Sequence, residues 1–217
     1  MKISLTAILR RIRWMVIPYL LILIICLVIK LTFTREEIFF AVNSHNYPFA
    51  DSVAPYITDL GNGWTAVVIA ALVTLFSYRK AFIIATVYGV TSIFAQIVKH
   101  IFDAPRPRLY FKGQLSRIHF VKGVDILSMH SFPSGHTVTA FSVAVLFTYW
   151  SRNKALGPVF LLAAILVGYS RMYLSEHFFE DVVAGSVIGL VVTVIWLYWI
   201  DNSRFIQKPG WQRGLLF

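Results

Sequence analysis

Apolar runs of near bilayer-crossing length constrain this chain more than any other feature. Residues 14–29 are uncharged and mostly apolar, and further runs cover 64–77, 81–98, 137–150, 155–169 and 182–200. A helix rises about 1.5 Å per residue and needs roughly 20 residues to cross the hydrocarbon. Three runs are short and must borrow flanking polar residues, so the expected spans are 14–33, 58–77, 81–99, 134–150, 155–171 and 181–200. Charged residues make up only 14% of the chain, against roughly 25% in a soluble domain, which excludes a water-soluble globule. Five of the six Trp (Trp14, Trp64, Trp150, Trp196 and Trp199) lie at run ends, where amphipathic rings favour the headgroup zone. The sequence therefore predicts an all-α fold: a polytopic membrane protein with six transmembrane helices, a single integral membrane domain over 1–217.

Lys2, Arg10, Arg11 and Arg13 precede the first run, as in a secretory signal peptide, but no small-residue cleavage pattern follows it. A retained signal anchor is expected instead. Leu5, Ile8, Leu9 and Ile12 fall at helical spacing between basic residues, so the N-terminus is either a surface-lying helix or a simple charged flank. Cys26 is the single cysteine, which excludes an intrachain disulfide and a Cys-based metal site.

Six spans put both termini on one side together with the turns 78–80 and 151–154. Those segments carry eleven of the 20 Lys and Arg but a single acid, Asp201, so the formal charge of +10 sits there. The positive-inside rule makes that side cytoplasmic, and short loops with a basic N-terminus suit a bacterial inner membrane. The basic residues are divided among short loops, which argues against a nucleic-acid partner.

The chemically capable residues then fall together on the opposite, outer face. Lys99 ends the third span, and Arg106 follows in a loop that Pro105 and Pro107 keep out of helix. Ser134 and Gly135 open the fourth span as a helix cap and first turn, presenting backbone N–H groups to an anion, with His136 next to them. Arg171 closes the fifth span, and His177 and Asp181 open the sixth, four residues apart and so on one helix face. Each has a plain structural reading: snorkelling cations, a helix start, a local His–Asp pair. Together, three cations, two imidazoles, one carboxylate and an anion-binding helix start at one depth call for a bound anion, and phosphate matches the Arg and Lys donors. An imidazole whose second nitrogen is held by a carboxylate is a competent nucleophile, which fits His177 with Asp181. His136 fits the acid that protonates the departing oxygen.

Lys99, six residues, Arg106 and Pro107; then Pro133, Ser134, Gly135 and His136; then Ser170, Arg171, five residues, His177, three residues and Asp181: this series resembles the complete three-part signature of the type 2 phosphatidic acid phosphatases, in their membrane-bound branch. The resemblance implies a metal-independent lipid phosphatase with no cofactor. His177 would carry a phosphohistidine, Asp181 would support it, and His136 would act as acid and later as base for water. Lys99, Arg106, Ser134, Gly135 and Arg171 would hold the phosphate. Its substrate would be a membrane lipid phosphate or diphosphate: phosphatidate, phosphatidylglycerophosphate, undecaprenyl diphosphate or the phosphates of lipid A. The active site would face the periplasm or outside, with the lipid tail left in the bilayer. The alternatives are a lipid phosphotransferase using the same pocket, a lipid or ion transporter, and a zinc site formed by His136, His177 and Asp181. The oligomeric state is unknown from sequence. Arg108, Lys112, Arg117 and Lys122 read as solvated loop charge or headgroup contacts, and Tyr110, Phe111 and Phe120 as a hydrophobic lid or interface anchors. His45, His100, His119 and His130 receive no role.

Overall fold

The computed structural model describes residues 3–216, so Lys2 lies outside the described residues. Its helices are α1 (Leu5–Thr32), α2 (Arg35–Asn43), α3 (Pro48–Asp59), α4 (Gly63–Thr74), α5 (Tyr78–Phe102), the short α6 (Pro107–Tyr110), α7 (Gly135–Trp150), α8 (Leu156–Tyr173) and α9 (Phe179–Asp201), with no strand among the described residues. Helix α1 starts at Ser4, whose side chain accepts from the Ala7 N–H. Ile8, Ile12, Met15 and Tyr19 recur every three or four residues and are buried in the bundle. Described residues of the basic N-terminus are thus the first turns of the same long helix as the first apolar run, which corrects the surface-lying reading and leaves Arg10, Arg11 and Arg13 as its exposed, charged flank. Packing of Ile8 and Ile12 into the protein core is the reason.

The expected span 58–77 is also corrected. It is two helices, α3 and α4, bent by 54°. A Cβ at Gly61 would lie 2.6 Å from the His136 carbonyl oxygen, so only glycine lets the chain pass there, and Asn62 caps α4 through the Trp64 N–H. Among the described residues four helices are long and apolar enough to cross a membrane (α1, α5 running on to Tyr110, α8 and α9), with a fifth if the bent pair is one span. Helix α7 has 16 residues, about 24 Å of rise. Its flanks are covered by protein: Val138, Phe141, Val145 and Leu146 are all buried. Six full-length spans are therefore not seen among the described residues, because α7 is shorter than a helix that crosses alone and sits at the centre of the bundle.

Small residues let α9 close onto α7. A Cβ at Gly185 would stand 2.7 Å from the Ser134 carbonyl oxygen, and one at Gly189 2.6 Å from that of Val138. Ion pairs mark the two ends of the bundle. At one end Asp201 takes Arg79 at 2.7 Å and the Tyr149 hydroxyl at 2.6 Å, while Asn202 bonds the Ile3 backbone. At the other, Glu180 takes Arg35 at 2.5 Å and Lys30 at 3.5 Å. Over this second end lies a cap made by α2 and the long segment after α5, where Phe39, Phe111, Ile118 and Phe178 form a buried cluster.

Candidate active site

The second end of the bundle gathers the residues singled out from sequence. Helix α8 ends in a tight turn in which the N–H groups of Glu176 and His177 both donate to the Arg171 carbonyl, at 3.0 and 3.2 Å. Ser175 takes a left-handed φ of 59° inside that turn. The chain thereby folds His177 back beside Arg171 before α9 begins. Asp181 lies in the first turn of α9, and its Oδ2 accepts from the Phe178 N–H at 2.8 Å, from the Ser131 hydroxyl at 2.5 Å and from His177 Nδ1 at 3.4 Å. The carboxylate thus caps its own helix and faces the imidazole at once. With Nδ1 committed in this way, Nε2 is the ring nitrogen left for chemistry.

Helix α7 begins beside this pair. The Ser134 N–H donates to the Asp181 carbonyl at 2.9 Å, and the Ser134 side chain caps α7 by accepting from the Thr137 N–H. A Cβ built on Gly135 meets nothing within 4 Å, so the start of α7 faces open space. The first N–H groups of a helix lack intrahelical partners and suit an anion.

Each cation is anchored by the protein. Lys99 Nζ donates to the His130 carbonyl at 2.6 Å. Arg106 Nε donates to the Met129 carbonyl at 3.0 Å, and its Nη1 meets the Glu176 carboxylate. Arg171 donates through Nη1 to Thr58 Oγ1 at 2.9 Å, and its Nη2 stands 3.2 Å from Glu176 Oε2. Burial pushes the His177 imidazole well below its usual range, and Arg106, Arg171, Lys99 and His136 each push the same way.

Three participants escape the sequence pattern: Glu176, Ser131 and Thr58. Glu176 changes the charge balance, since the cluster holds two carboxylates where the spacing showed one. The demand for a bound anion is thus met in part from within. An acid immediately before His177 was the available signal; Ser131 and Thr58 gave none. Among the described residues no group of three His, Cys, Asp or Glu is placed to hold a metal ion, so His136, His177 and Asp181 do not form the alternative zinc cluster. Arg108 donates to the Ile126 carbonyl and Arg117 lies over the Phe40 ring. Phe111 is buried against Phe39 and Phe178, a packed cap and not an interface anchor. His119, left without a role, bonds Asp51 at 2.9 Å and ties the long segment to α3.

Comparison with known proteins adds the following. The family model described as the PAP2 superfamily matches residues 80–205. Lipid A 1-phosphatase of Porphyromonas gingivalis is 35% identical over 93 residues, which cover 42% of this chain and 21% of that protein's length. Undecaprenyl-diphosphatase BcrC of Bacillus subtilis is 24% identical over 171 residues, covering 77% of this chain and 85% of the relative. The crystal structure of a transmembrane PAP2-type phosphatidylglycerolphosphate phosphatase from Bacillus subtilis superposes with a TM-score of 0.62 at 27% identity, over 86% of this chain and 96% of that one.

Proposed function

Since the chain belongs to the PAP2 superfamily, we propose that it is an integral membrane phosphatase that hydrolyses a lipid-linked phosphate or diphosphate without a metal ion. The observation that carries this reading is the arrangement around His177: Asp181 on Nδ1, Arg106 on the carbonyl of the preceding Glu176, and the His177 N–H on the Arg171 carbonyl. His177 Nε2 attacks phosphorus in line as the bond to the lipid oxygen breaks. Once the bound phosphate offsets the neighbouring cations, His136 is protonated and gives that oxygen its proton. The phosphohistidine formed carries positive charge on the ring, which Asp181 stabilises from Nδ1. Neutral His136 then takes a proton from water, whose oxygen displaces His177 from phosphorus and completes inorganic phosphate. Lys99, Arg106, Arg171, Ser134 and the N–H groups at the start of α7 take the equatorial oxygens, where charge builds during transfer.

In this reading the whole chain works as one membrane domain. The bent pair α3–α4 and the short α7 complete a six-helix layout, with the termini cytoplasmic and His177 at the outer boundary of a bacterial inner membrane. The lipid tail stays in the bilayer while its headgroup enters the polar end. The substrate class rests on the named relatives, which act on lipid A, undecaprenyl diphosphate and phosphatidylglycerophosphate. The test is phosphate release by the purified protein from a panel of detergent-solubilised lipid phosphates in the presence of a chelator. Turnover of at least one lipid, inhibition by orthovanadate and its loss in His177→Ala are expected. Full turnover in that variant, or abolition of wild-type turnover by the chelator, would overturn the mechanism.

A further inference from the structure

Glu176 is 2% exposed, so neither water nor headgroups solvate its carboxylate. Its Oε2 meets Arg106 Nη1 and lies 3.2 Å from Arg171 Nη2. One oxygen therefore bridges the two guanidinium groups assigned to the phosphate. Arginine forks bind carboxylate and phosphate through the same planar donor pattern, so this is also where a bridging phosphate oxygen would sit. A second observation is independent of the first. Arg171 Nε is buried with no hydrogen-bond partner, although Nη1 and Nη2 of the same group are both engaged. A buried N–H left unpaired is costly. A single carboxylate oxygen leaves the fork incompletely served, whereas a phosphate brings additional oxygens. The open space beside Gly135, on the element that would share the ligand, leaves room for it.

We propose that Glu176 is the resident anion of this cradle. It holds Arg106 and Arg171 in place in the resting enzyme and yields the shared position to the incoming phosphate. The inference rests on the phosphatase reading and deepens it. Substrate must compete with an internal carboxylate for two arginines, which favours a terminal phosphate carrying two charges over a singly charged diester. The return of Glu176 after hydrolysis helps to expel the product. Apparent affinity for phosphate is then reduced by the fraction of molecules in which Glu176 has withdrawn.

Glu176→Gln keeps the shape and removes the charge. Its inhibition constants for inorganic phosphate and orthovanadate are expected to fall by about tenfold or more, with kcat lowered as product leaves more slowly. Glu176→Asp keeps the charge but withdraws it by one methylene, and a smaller tightening is expected. It also serves if the Gln variant does not fold. Unchanged or weakened phosphate binding in the folded variants would overturn the proposal, leaving Glu176 as a fixed scaffold for the arginines. In wild-type protein, infrared difference spectra on adding phosphate should show a carboxylate stretch shifting as Glu176 leaves the guanidinium groups; absence of any carboxylate change would also overturn it. Failure of the phosphatase reading looks different: the wild-type protein would neither hydrolyse a lipid phosphate nor bind inorganic phosphate.

Discussion

Nδ1 of His177 lies 3.4 Å from Asp181, and the ring is 1% exposed among cationic neighbours. Burial first, then the charges of Arg106, Arg171, Lys99 and His136, hold this imidazole below its ordinary range. The protonated ring cannot attack phosphorus, so depressing its pKa extends activity towards acid. We expect kcat/KM, which reports groups of the free enzyme, to show no His177 limb until below about pH 6.5, the ordinary imidazole value. In Lys99→Met one depressing charge is gone, and the limb should move up towards that value while the rate falls. A wild-type limb centred above it would contradict the environment described for His177. At this scale much of the candidate site was legible, because helix ends are written locally: a cap at Ser134, a cation closing α8, a His and an Asp four apart. Thr58 was not legible because it meets Arg171 across 113 residues of chain, a proximity that no spacing encodes. Glu176 went unread for another reason: a lone acid looks like solvated charge until its burial is known.

Among the elements, α7 shows why apolar runs were read correctly as helices while their number as full-length spans was not settled by pattern. A residue facing lipid and one facing protein are equally apolar, so pattern alone cannot separate a spanning helix from a core helix. The α3 segment hid for the opposite reason, since Pro48, Asp51, Pro55 and Asp59 resemble a loop, yet Pro48 simply occupies the first turn of its helix. The start and break of these elements separate structural from ligand-facing glycines. Gly61→Val places carbon against the His136 carbonyl and the Val167 side chain, each 2.6 Å from the new Cβ, and should cost about 1–3 kcal/mol as overpacking. Gly135→Ala meets no protein atom within 4 Å. Its stability should stay within about 0.5 kcal/mol of wild type, while phosphate and vanadate bind several-fold more weakly. Thermal unfolding in detergent and inhibition constants read the two effects; loss of stability without loss of anion binding in Gly135→Ala would remove the start of α7 from the site.

For the molecule as a whole, the distribution of charge was legible in sequence and the pairing was not. Asp201 with Arg79 at one end, and Glu180 with Arg35 at the other, tie helices far apart in the chain and fix which ends lie together. The same closure brings the ends of α5 and α8, the starts of α6, α7 and α9, and the α8–α9 turn around His177, each helix contributing one or two groups and none a complete site. In the proposed mechanism this convergence serves covalent transfer of one phosphoryl group to one imidazole. The most direct measurement is to mix the wild-type protein with lipid substrate labelled at the terminal phosphate, quench in alkali over a series of times within one turnover and map the bound label by mass spectrometry. An acid-labile, alkali-stable phosphate on His177 is expected. Turnover of lipid phosphate with no label on His177 at any quench time would contradict the mechanism.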